Sequence, residues 1–253
     1  MPSGNPVLKE STFLDLGSGS VFGRDGGIMS LSGTVNKTGI LLILTVIAAA
    51  FAWNQVIGLD GRPTANVGLY MLGGGLGGFI LAMLTTFRQQ WSPVTAPIYA
   101  LLEGVFLGSV SAVFEARYHG VVIQAVMLTF ATLVAMLCAY RTGLIRVTEK
   151  FKLGVLAATG GIALFYLVTS ILGLFHVSLP ILHGSGTLSI MISLFVVGIA
   201  ALNLVIDFDY IERAVAARPP KFMEWYAAFG LMVTLVWLYI EILRLLTKLQ
   251  SRD

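Results

Sequence analysis

Seven apolar runs, each about twenty residues long, dominate this chain. They cover Gly39–Gly58, Val67–Phe87, Val94–Phe114, Val121–Tyr140, Leu153–Phe175, Leu188–Asp207 and Trp225–Leu246. A helix rising 1.5 Å per residue needs ~20 such residues to cross a hydrocarbon layer. Charges, prolines or glycines bound every run. Inside a bilayer each backbone N–H and C=O must find a partner within the protein, which leaves helices and closed barrels. Barrel strands would alternate apolar and polar residues over ~10-residue segments, and these runs do not. The sequence therefore predicts an all-α integral membrane protein, a bundle of seven transmembrane helices.

Composition supports this. Hydrophobic residues make up 57% of the chain and charged ones 11%, where a soluble domain carries about 25% charged residues. The mean hydropathy is +0.87. The lone cysteine, Cys138, excludes an intrachain disulfide. The net charge of +3 is spread between the runs, unlike the concentrated basic face of a nucleic-acid binder. The expected surroundings are lipid, with no nucleic-acid partner. Of the sixteen Lys and Arg, eleven fall on the side that holds the N-terminus and five on the other. The positive-inside rule then places the N-terminus in the cytoplasm and the C-terminus outside. A re-entrant seventh run would instead return the C-terminus to the cytoplasm. Residues 1–36 are Gly/Ser-rich without an apolar core, so they read as a flexible cytoplasmic tail rather than a signal peptide. Residues 37–249 then form the transmembrane domain.

Several motifs have a plain structural reading. Gly73–Gly78 matches Gly-x-Gly-x-x-Gly, yet it lies inside a spanning run and not between a strand and a helix. The small-residue pairs Gly73/Gly77 and Gly74/Gly78 predict close helix packing instead. Gly184-Ser185-Gly186 beside His183 has no acid nearby in sequence. His119, His176 and His183 are scattered, and no zinc-ligand set is evident. The expectation is no enzyme, no cofactor and an unknown metal requirement.

Acids inside the runs are the informative residues, because ionisable groups at membrane depth are costly and usually serve a pathway. Glu241 has Arg244 at i+3, spacing that suits a local ion pair at the outer interface. Asp209 has Arg213 at i+4 and reads as a surface pair. Asp207 and Glu103 lie deeper, about 12 and 14 Å along their helices from the cytoplasmic ends. Asn203 stands one turn from Asp207 on the same face.

Ala96–Ala112 (APIYALLEGVFLGSVSA), Leu202–Glu212 (LNLVIDFDYIE) and Tyr239–Leu246 (YIEILRLL) resemble the third, sixth and seventh helices of the Bax inhibitor-1 family, in a bacterial branch. The resemblance spans roughly Thr34 to Lys248. It implies six helices around a central seventh. It also implies a pH-sensitive calcium leak in the bacterial cytoplasmic membrane, sensed by an Asp on helix 6 and an Asp on helix 7 that share a proton. Asp207 matches the first, with Asp209 as the other register. The second position holds Thr234, which cannot ionise. Glu103 is our own candidate for the missing carboxylate. The resulting expectation is a pH-sensitive calcium leak channel or proton-coupled permease, with calcium and protons as its cargo. The alternative is a regulator that binds other membrane proteins through its glycine face and transports nothing.

Overall fold

The computed structural model describes residues 27–58, 61–175 and 186–251. Seven α-helices are present among them: α1 (Leu31–Val56), α2 (Val67–Phe87), α3 (Ser92–Arg117), α4 (Val121–Arg141), α5 (Glu149–Leu174), α6 (Thr187–Ala216) and α7 (Met223–Gln250). All seven are long and apolar enough to cross a membrane. No strands occur among the described residues, only two isolated bridges. α7 is continuous over 28 residues, so it is long enough to span and need not re-enter. It is also the most buried, at 67% of its spanning window, as befits the helix the resemblance puts at the centre. Of the tail expected over residues 1–36, residues 1–26 lie outside the described residues and residues 31–36 belong to α1; His176, His183 and Ser185 also lie outside the described residues.

The chain divides into two compact units, with α6 and α7 contributing to both. In the first, α1 and α2 pack against α3. α1 is built inside out relative to a soluble helix. Its buried stripe is Thr34, Thr38, Leu41, Thr45, Ala48, Ala52 and Val56, recurring every three or four residues. Ile43, Val46, Ile47 and Phe51 on the same helix are exposed. Lipid tails are as apolar as those side chains, so burying them gains little. Close approach of backbones through small residues holds membrane helices together instead. Gly104 and Gly108 of α3 meet α1 this way. A methyl on Gly104 would clash with the Thr45 carbonyl and sit 2.8 Å from the Ala48 Cβ, and one on Gly108 would strike the Ala49 backbone. Thr45 Oγ1 donates to the Ala100 carbonyl at 3.0 Å, and Thr85 Oγ1 donates to Thr95 Oγ1 at 2.8 Å between α2 and α3.

α1 begins at Leu31, eight residues before the expected Gly39. Ser30 caps it, with Oγ accepting from Gly33 N at 3.0 Å. The polar Ser32, Asn36 and Lys37 in its first turns disguise this start in the sequence. Glu115 accepts from the N–H of Gly120 at 2.5 Å and of Val122 at 3.1 Å, which satisfies the start of α4.

The second unit comprises most of α4, α5, the larger part of α6 and the later part of α7. Ile162 of α5 with Val196 and Ile199 of α6 forms its apolar core, packed by Ala158, Tyr166, Ile192, Leu202 and Trp237. Gly143, at φ +71, ends α4. Its N–H donates to Tyr140 O at 3.0 Å while Ile145 N reaches Ala139 O at 3.2 Å, closing the last carbonyls of the helix. Thr148 caps α5 by accepting from Phe151 N at 3.2 Å, with Glu149 in the first turn.

Candidate functional site

α6 carries the acids DFD near its end. Its Asp207 is 0% exposed, and the helix runs on to Ala216, so the carboxyl lies ~14 Å along the helix from that end. Asn203, one turn earlier, is buried as well. Its Nδ2 donates to Thr159 Oγ1 of α5 at 2.8 Å and to Ile199 O at 2.9 Å. The amide thereby fixes the face of α6 that holds Asp207 against α5. Thr234 of α7 is buried and belongs to the same unit as Asp207.

Asp209 departs from expectation. It is buried rather than a surface acid. Its Oδ2 lies 3.1 Å from the ammonium of Lys152, whose side chain is 2% exposed. Lys152 also reaches the Glu149 carboxylate at 3.4 Å. In the sequence Lys152 reads as a cytoplasmic loop cation. It is in fact the internal counter-charge of Asp209. The available signal was Glu149 three residues before it, spacing that turns both onto one helical face.

Glu103 of α3 sits in the first unit, ~16 Å along its helix from Ser92. It is 9% exposed. The Gly78 backbone faces it: a methyl there would lie 2.9 Å from Oε2 and 4.0 Å from the Tyr99 ring. Tyr99 is itself buried and stacks edge-on to Phe229 at 4.9 Å. Glu103 and Asp207 thus belong to different units.

The glycine stripe of α2 is used within the protein. Gly74 approaches the α3 backbone, where a methyl would meet Phe106 N at 2.7 Å and Leu102 O at 2.8 Å. Gly77 faces the Leu102 side chain and Gly78 faces Glu103. Gly73 departs from the expected pair, since a methyl there would meet no described residue of another helix within 4 Å. The i, i+4 count placed it one residue off the contact face.

Glu241 and Arg244 do pair, at 3.2 Å. The pair is not a simple interface contact, because Glu241 is 1% exposed. Tyr166 Oη donates to both carboxylate oxygens at 3.0 and 3.1 Å, and Trp237 Nε1 donates at 3.3 Å. Glu224, which the sequence did not single out, forms a further buried set. It accepts from Ser30 N at 3.0 Å and Ser30 Oγ at 2.9 Å, and it is ion-paired to Lys37. The partners are almost two hundred residues apart in sequence, so spacing alone gave no signal. Among the described residues, no three His, Cys, Asp or Glu side chains are grouped to hold a metal.

Apolar outer faces and buried ionisable groups at depth define a multi-pass α-helical membrane protein. Comparison with protein families matches the Bax inhibitor 1 like family over residues 5–251. The chain belongs to that family, and the match takes in most of the N-terminal tail that the resemblance left aside. Neither the curated proteins nor the solved structures yield a match.

Proposed function

We propose that this protein is a pH-sensitive cation leak, with calcium as its cargo, in a bacterial cytoplasmic membrane with the N-terminus inside. The observation that carries the reading is Asp207, wholly buried at membrane depth on a helix whose neighbouring acid is held by an internal lysine. Ionisable groups placed there are costly, and function is the usual reason for them. Protonated, Asp207 is neutral and compatible with a closed, tightly packed face. Deprotonated, it places a charge inside a buried, tightly packed face, and desolvation makes that charge costly until the face opens to water or a cation. Thr234 holds no ionisable charge, so Asp207 acts here without the second aspartate of the family pattern. Glu103 adds a second titrating group in the other unit. Calcium prefers carboxylate and carbonyl oxygens, and so few buried carboxylates suit transit better than storage. No catalytic role is assigned to any residue.

Flux therefore rises with pH, as carboxylates lose protons. The test is calcium entry into liposomes holding the purified protein, between pH 6 and 8, for wild type and Asp207→Asn. The mutant loses the pH response. An unchanged response in the mutant refutes Asp207 as the sensor.

A further inference from the structure

The last turns of α7 hold more positive charge than the described residues neutralise. Glu241 is matched by Arg244. One turn on, Lys248 is 7% exposed, and its ammonium donates to Ser193 Oγ at 2.8 Å and toward Ser189 O at 3.4 Å. Both acceptors are neutral, and no carboxylate among the described residues pairs with it. Glu241, Arg244 and Lys248 together carry one net positive charge.

The surrounding groups are donors. Ser189, whose carbonyl faces the ammonium, is 3% exposed, and its Oγ has no hydrogen-bond partner among the described residues. It stands in the first turn of α6, a 30-residue helix. Ile190 N makes the first backbone bond there among the described residues, to Gly186 O at 3.2 Å, which leaves the N–H groups before it for another acceptor. Among the described residues Arg244 uses only Nη1, on Tyr166 at 2.6 Å and on Glu241, and its side chain is 36% exposed. Among the described residues, a buried ammonium without a counter-ion, an unpaired buried hydroxyl, helix-start N–H groups and a partly open guanidinium converge on one ligand chemistry. It is a compact anion with several oxygens.

Depth indicates its source. Lys248 lies ~18 Å along α7 from the helix midpoint, just beyond the ~15 Å half-thickness of the hydrocarbon core. Lipid phosphates occupy that level. We infer that Arg244, Lys248, Ser189 and Ser193 form a binding site for a phosphate group, supplied by the headgroup of an acidic phospholipid.

The full-length protein in mild detergent is titrated with phosphatidylglycerol, with phosphatidylcholine and with inorganic phosphate, and bound ligand is counted by native mass spectrometry. Phosphatidylglycerol binds in preference to phosphatidylcholine. Lys248→Gln weakens it about tenfold, the loss of one charge-assisted contact. Lys248→Arg retains it, and Lys150→Gln, which removes a distant exposed charge, leaves it unchanged. Ser189→Ala removes a hydroxyl that bonds to no described residue, so it keeps the lipid-free melting temperature while weakening binding. It decides the matter if Lys248→Gln does not fold. Millimolar phosphate that displaces the lipid, with the same sensitivity to Lys248 and Ser189, supports the phosphate site and assigns it a soluble source as well. Phosphatidylglycerol bound no better than phosphatidylcholine overturns the site, as does wild-type binding by Ser189→Ala and Lys248→Gln.

Discussion

Lys152 and Asp209 show how a charge is kept inside an apolar protein. Each alone would be expensive to bury, and together they are tolerable. Removing one partner strands the other. Lys152→Met is expected to destabilise the protein by about 3–5 kcal/mol, the usual cost of breaking a buried pair. Adding Asp209→Asn to Lys152→Met should recover most of that loss, because no uncompensated charge remains. Chemical denaturation of the three variants in one detergent checks this. Equal losses for the single and double variants would show that the pair contributes packing only. The sequence made Asp207, Glu103 and Glu241 conspicuous because an acid in an apolar run stands out. Lys152 was invisible because it lies at a run's border, where a cation has a ready topological explanation. Tyr166 and Trp237 around Glu241 were hidden for a different reason. Aromatic residues are ordinary in spanning helices, and only the fold reveals which ones point a donor at a carboxylate.

At the scale of helices, small residues decide where backbones meet. Gly104→Ala forces a methyl into the α1 backbone at Thr45, and overpacking of this kind costs about 1–3 kcal/mol. Gly73→Ala meets open space and gains up to ~1 kcal/mol of helix propensity. Melting temperatures should therefore fall for the first and hold or rise for the second. A reversed order would mean that α1 and α3 do not pack as described. Another element-scale contact joins the segment before α1 to the α6–α7 turn. Met29 N donates to Pro219 O at 2.9 Å and Lys221 N to Gly27 O at 3.2 Å, with Glu224 binding Ser30 and Lys37 alongside. Glu224→Gln weakens this join, so amide exchange at Gly27–Ser30 should speed up while the middle of α3 stays protected. Unaltered exchange would leave Glu224 without that role. The extent of α2, Val67–Phe87, was fully legible, because non-apolar residues mark both ends. α1 was not, since a capped helix can begin in polar sequence that resembles a loop.

For the whole molecule, hydropathy alone specified seven spanning helices, because bilayer thickness fixes their length. The proposed N-in, C-out arrangement rests on the charge bias between the two faces. A periplasm-active reporter fused after Asp253 should be active in bacterial cells and a cytoplasm-active one silent. The opposite pattern would invert the topology and place Asp207 in the outer half of the membrane. Function was less legible than fold, since the family pattern supplies an acid where this chain has Thr234. The most direct measurement is calcium flux into proteoliposomes from pH 6 to 8, comparing wild type with Asp207→Asn. The proposal predicts a flux that grows with pH in the wild type and a flat profile in the mutant. No flux above protein-free liposomes at any pH would contradict it and leave a membrane regulator that transports nothing.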